Sequence, residues 1–130
     1  MSEIVRVARS WVGTKFHHQG RKKNIGVDCI GLIVGVAQEL GLPTSDRLNY
    51  ARQPDESELQ NALDSNLQKC GLQVGAIALF SIDNRAQHVG IISNYNEHFG
   101  VIHAYIQARK VVEHTLDRQW QKRIISCYSF

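Results

Sequence analysis

Residues 26–42 read GVDCIGLIVGVAQELGL, and this stretch carries both a helix start and a helix stop. Asp28 is of the residue type whose side chain accepts hydrogen bonds from the free amides of a first helical turn. Behind it Cys29, Ile33, Val36, Ala37 and Leu40 recur at three-to-four spacing and share one face. Gly41 and Pro43 end the pattern, since glycine suits a left-handed cap and proline cannot continue a helix. The segment is apolar along most of its length, which predicts a buried helix that opens on a cysteine.

Upstream, Ser2 can cap a first helix with Ile4, Val5, Ala8, Trp11 and Val12 facing inward, ended by Gly13 and Thr14. From Gly13 to Val27 the chain is polar and basic, a connection long enough to line a cleft. Downstream, Asp55 with Glu58 three residues on opens a third helix predicted over Asp55 to Cys70. Leu59, Ala62, Leu63, Leu67 and Cys70 would form its inner face, with Gly71 at its end. Beyond Gly71 the period changes to that of strands: Ala76 to Phe80, His88 to Asn94, Val101 to Ile106, Arg109 to His114 and Arg123 to Phe130. A helical turn fits Leu116 to Gln121. Helices first and strands second predict an α+β domain, with the N-terminal helices packed on a central antiparallel sheet.

Composition agrees with one folded domain over residues 1–130. Apolar residues make up 43% and charged residues 21%, with 10 glycines and 2 prolines, which excludes disordered and collagenous classes. The longest apolar run, Ile30 to Ala37, falls far short of the roughly 20 residues a membrane span needs. MSEIVRVARSW has no continuous apolar centre, so cytoplasmic synthesis without a Sec signal is expected. The net charge of +3 is scattered except at 21–23 and 118–123, which argues against a nucleic-acid partner. The 3 cysteines, at 29, 70 and 127, contain no CxxC pair and predict neither a disulfide framework nor a four-cysteine zinc site.

Cys29 follows directly on the cap, where free amides and the helix dipole favour negative charge. Thiols so placed can titrate at roughly 3.5–7.5, and the thiolate is the species that attacks a carbonyl carbon. The plainer reading is a small core residue. In QHVGIISN, His88 shares a face with Gly90 and Ile92; in GVIHAYI, His103 shares one with Val101 and Tyr105. An antiparallel hairpin brings such histidines together, so one can serve a thiol as base and the other can orient it. The plainer reading is a pair of half-buried histidines. One cysteine and two histidines also suit catalytic zinc, but no two of them are close-spaced, and no metal is expected. His17, His18 and His98 lie in loops and read as solvated, and His114 is a strand-end residue with no visible partner. Cys70 and Cys127 read as core.

The combination of GTKFHHQG, the D-C-x-G element opening a helix, H-V-G-I, I-H-A-Y and R-x-V-V-E resembles the NlpC/P60-type papain-like cell-wall peptidases over nearly the whole chain. It is most similar to the small phage-type members. The resemblance implies a papain-like α+β fold, Cys29 as nucleophile, His88 as general base and His103 as the polar residue that orients it. It implies that Phe16 and Asp28 contribute to a substrate cleft, and that neither a metal nor an organic cofactor is required. The implied activity is cysteine-peptidase hydrolysis of peptidoglycan stem peptides, typically between D-γ-glutamate and the diamino acid. The implied setting is the bacterial cell wall, on a phage or phage-like particle with tail proteins as partners. Phe16 stands where many relatives carry tyrosine, Ile30 where a serine is common, and Ala76 where aspartate is frequent. An amidase or acyltransferase with the same Cys–His chemistry, and a non-catalytic assembly or wall-binding module, remain as alternatives.

Overall fold

The computed structural model describes residues 2–43 and 56–130, with 56, 57, 85 and 86 described by backbone alone. Helix α1 (Glu3–Arg9) is capped by the Ser2 hydroxyl, which accepts from Val5 N–H. It ends before the apolar pattern does, yet Trp11 is still buried. Within the long connection lie two short strands, β1 (Arg21–Lys22) and β2 (Gly26–Val27), paired as an antiparallel hairpin. Helix α2 (Cys29–Glu39) follows. Helix α3 (Glu56–Asn66) is shorter than the spacing predicts, and the expected cap at Asp55 lies outside the described residues.

Where α3 was expected to continue, β3 (Gln68–Cys70) forms instead. The strands β4 (Ile77–Ile82), β5 (Arg85–Tyr95), β6 (His98–Tyr105) and β7 (Lys110–Thr115) then run as an antiparallel meander. Asp83–Asn84 and Asn96–Glu97 turn two of its hairpins with positive φ at both positions, the conformation that matches strand twist in two-residue loops. A single turn of 3-10 helix at Ile106–Ala108 leads into β7, and the short helix α4 (Arg118–Lys122) leads into β8 (Ile124–Ser129). The six-stranded order is β3-β8-β4-β5-β6-β7. β8 thus returns to lie against β4, with β3 outside it.

Alternation along the strands divides the core in two. Ile77, Leu79, Val89, Ile91, Ile102 and Ala104 face the helices α1, α2 and α3. Ala76, Ala78, Phe80, Ile92 and Val101 face the other way, where Leu116 and Trp120 cover them. The N-terminal helices therefore lie on one face of an antiparallel sheet, as the α+β reading predicts, and α4 covers the opposite face. None of the described helices is long and apolar enough to cross a membrane.

Candidate active site

The start of α2 is held by a dense set of polar bonds. The Asp28 carboxylate, almost fully buried, accepts from Gly31 N–H at 2.8 Å, from Gln19 N–H at 2.8 Å and from the Arg21 guanidinium at 3.1 Å. The first bond caps the helix; the other two fasten the preceding loop to it. The glycine of the D-C-x-G element is explained by close approach: a Cβ on Gly31 would lie 2.2 Å from the Gly20 carbonyl oxygen.

Cys29, the first residue of α2, is half-buried and packs beside Leu59, Leu63, Leu79 and Val89. Backbone amides of Val89, Ile30 and Cys29 itself meet its sulfur and favour the anion. Burial, and after it the neighbouring Asp28 charge, outweigh them and push the thiol up to about 12. The expected low-pKa thiolate is therefore corrected. The helix start supplies its amides as anticipated, but the apolar packing around the sulfur favours the neutral thiol.

The histidines come together as the hairpin argument requires. His88 Nε2 lies 2.7 Å from His103 Nδ1, both rings buried. Gly90 makes this possible, because a Cβ there would stand 2.9 Å from Val101 Cγ2 and 3.1 Å from His103 Cβ. Burial, reinforced by the charge of Arg123, lowers His88 to about 4. Burial, then the charges of His88 and His114, lowers His103 to about 2. At neutral pH both rings are uncharged.

The ladder between β5 and β6 ends at Ile91 and Ile102. Ile92 N–H bonds Ala76 on the β4 side, so by alternation Val89 N–H points to the side that β6 has left, and there it meets Cys29. Among the described residues the thiol and the His88 ring share no hydrogen bond. Val89, whose amide meets the sulfur, is the residue next to His88 on β5.

Sequence reasoning missed two neighbours. His114, read as partnerless, places Nε2 2.9 Å from His103 Nε2 and Nδ1 2.8 Å from the Thr115 carbonyl oxygen. The signal was available in retrospect, because β7 pairs with β6 beside His103, but single-strand reading does not supply that register. Trp120, half of whose role is to cover this face, stands edge-on to His103 at 5.0 Å, while Tyr105 stacks on the same ring at 5.1 Å. The ring nitrogens of the three histidines face one another in a chain, and among the described residues no group of three or more His, Cys, Asp or Glu is arranged around a metal position.

Phe16 lines a cavity of about 450 Å³ with Lys15, His17, His18, Ile106 and Arg109. Its N–H donates to Arg109 C=O, and Phe16 and Val27 form a parallel bridge, which ties the cavity wall to the residue before Asp28. His17 and His18, expected to be merely solvated, are therefore part of this wall. Cys70 and Cys127 are register partners across β3 and β8, both as free thiols.

Solved structures share this architecture. An NlpC/P60 family protein from Bacillus cereus ATCC 10987 is 17% identical with a TM-score of 0.69, over 96% of this chain and 38% of that one. A Staphylococcus aureus subsp. aureus Mu50 protein, described as similar to lipoprotein, NLP/P60 family, is 20% identical with a TM-score of 0.67, over 97% and 39%. The NlpC/p60 domain of peptidoglycan hydrolase SagA is 19% identical with a TM-score of 0.66, each chain covered over 100%. The chain thus spans about two fifths of the length of the first two proteins, and at these identities the likeness is one of fold. No curated protein matches the chain at a significant level. The family's sequence pattern, by contrast, matches residues 13–128, and the chain belongs to the NlpC/P60 family.

Proposed function

We propose that this protein is a cysteine endopeptidase that hydrolyses peptidoglycan stem peptides, at the bond between D-γ-glutamate and the diamino acid. The observation that carries the reading is the His88–His103 pair at 2.7 Å, with His88 on the strand whose next amide meets a cysteine at a capped helix start. Family membership supports the substrate class.

Cys29 acts as nucleophile and His88 as general base. Because thiol and imidazole are both neutral at rest, the proton leaves sulfur for His88 as the carbon–sulfur bond forms. That transfer requires the two side chains to meet in the substrate complex, a contact their hydrogen bonds at rest do not include. The Cys29 and Ile30 amides at the start of α2, which meet the sulfur at rest, turn to the developing oxyanion as the sulfur bonds to carbon. The His88 imidazolium then protonates the leaving amine, and water, deprotonated by His88, hydrolyses the thioester and restores the thiol. His103 holds His88 in orientation throughout. Phe16 forms the cleft wall, and Asp28 keeps that wall fastened to the helix. Lys15 and Arg109 in the same wall suit the carboxylates of a stem peptide. The sequence resemblance to small phage-type members supports action at the bacterial cell wall within a phage or phage-like particle, with tail proteins as partners.

The test is digestion of purified murein with products identified by mass spectrometry, beside the Cys29→Ala protein. The expected result is free D-γ-glutamyl ends from the unmodified protein and none from the variant. Intact stem peptides with another acyl group released would favour an amidase or acyltransferase, and equal wall binding without turnover by either protein would favour a binding module.

A further inference from the structure

We infer that His114 is a positioning residue: anchored on the Thr115 carbonyl, it sets the proton positions of His103 and His88 so that Nδ1 of His88 is the unprotonated, basic nitrogen. The inference rests on the reading of His88 as general base. Its carrier is a continuous line of contacts, from Thr115 O to His114 Nδ1 at 2.8 Å, His114 Nε2 to His103 Nε2 at 2.9 Å, and His103 Nδ1 to His88 Nε2 at 2.7 Å.

A carbonyl oxygen can only accept, so His114 Nδ1 must carry the proton in that bond. In a neutral imidazole the other nitrogen is then an acceptor, so His114 Nε2 must receive a proton from His103 Nε2. That leaves His103 Nδ1 as an acceptor, which requires His88 Nε2 to donate. One lone pair remains, on His88 Nδ1, and it lies on the side of the ring not engaged by His103. For a neutral His114 the direction of the whole chain is thus decided at its far end, by an oxygen that can only accept.

Without His114 the constraint is lost. His103 Nε2 would be free to accept or donate, and His88 could then carry its proton on Nδ1, where it is useless for taking one from a thiol. Successive rings are tilted by 63° and 64° to each other and are held at those angles by their neighbours. Tyr105 stacks on His103 at an interplanar angle of 15°, and Trp120 meets His103 edge-on at 86° and His114 at 50°. Burial keeps His88 and His103 neutral, which the alternation of donor and acceptor requires.

The experiment is a two-bond proton–nitrogen correlation spectrum of the uniformly nitrogen-15-labelled full chain at neutral pH, which reads which ring nitrogen bears hydrogen. The expected pattern is hydrogen on Nε2 of His88, Nε2 of His103 and Nδ1 of His114. His114→Leu should give mixed tautomers at His103 and His88, and lower kcat on stem peptide by roughly 10–100-fold with KM little changed, since a misplaced tautomer impairs proton transfer rather than binding. His114→Gln should recover most of kcat, because its amide can accept from His103 and donate to the carbonyl. Hydrogen on Nδ1 of His88 in the unmodified protein, two hydrogens on His114, or unchanged tautomers in His114→Leu would each overturn the inference. If His114→Leu does not fold, the spectra of the unmodified and Gln proteins still decide it. Correct tautomers in a protein that leaves murein intact would sink the peptidase reading and leave this one standing, and Cys29-dependent cleavage with the opposite tautomers would do the reverse.

Discussion

The two faces of the central sheet are made from the same strands yet have opposite chemistry. Toward the helices β5 presents Val89 and Ile91, packed dry against α2 and α3. Toward α4 it presents His88, which with His103, Tyr105 and Trp120 forms a polar and aromatic cluster. Adjacent residues of one strand thus face a dry core and a polar cluster separately, and the thiol meets the backbone amide of Val89, the residue next to His88. Under the proposed mechanism, a strand next to a helix start lets the nucleophile and its base be supported by different cores.

The sharpest way to break this contrast is to substitute one residue on each face. His88→Gln should lower kcat by roughly 10²–10⁴-fold with only a modest fall in the unfolding midpoint, because it removes the proposed proton acceptor while the amide fills most of the buried ring's place and can still hydrogen-bond His103. Leu32→Ala, on the fully buried side of α2, should destabilise by about 2–5 kcal/mol with kcat of the folded fraction preserved. Denaturant titration beside a murein assay reads both, and a large stability loss in the first or a large kcat loss in the second would blur the division.

Gly90→Ala sharpens the comparison at the point where the faces meet the histidine pair. The added methyl would press on Val101 and on His103 Cβ, so a loss of about 1–3 kcal/mol is expected together with weakened turnover. Normal activity at lowered stability would show that His103 tolerates displacement.

The same comparison can be read without mutation, from the acid sensitivity of the histidine face. Unfolded histidines titrate near 6.5, whereas folded His88 and His103 stay neutral to about 4 and about 2. Below pH 6.5 the unfolded chain binds protons that the folded rings do not, so stability is full above that pH and declines as pH falls toward 4, with His103 extending the decline. Urea midpoints measured across this range should fall with pH, and the slope should lessen in His88→Gln. An unchanged slope would show that the carboxylates alone set it.

Much of the fold was legible because its signals are local. Asp28, the apolar face behind it and Gly41 mark α2 within a residue or two. Leu67 and Cys70 continue the helical spacing of α3, but Gln68–Cys70 pair with Ser129–Cys127, contacts some 60 residues away that no local window contains. The β1–β2 hairpin escaped for the opposite reason, being only two residues per strand. At the site, the meeting of His88 and His103 followed from strand order, while the partner of His114 required the register of a third strand. The place of Cys29 at a helix start was readable; the side chains that bury it, and so reverse its titration, come from elements far along the chain.

The strand order has a consequence for biosynthesis. A nascent chain that has emerged through Thr115 can already zip β4 to β7, but the free edge of β4 waits for residues 124–129. Until the ribosome delivers β8, an unsatisfied row of amides and carbonyls is open to pairing with other chains. Closure also recruits β3, made some fifty residues earlier and paired with no other described strand, so β8 both caps β4 and gives β3 its partner, and the interval before β8 emerges is the one in which this sheet is most exposed to aggregation.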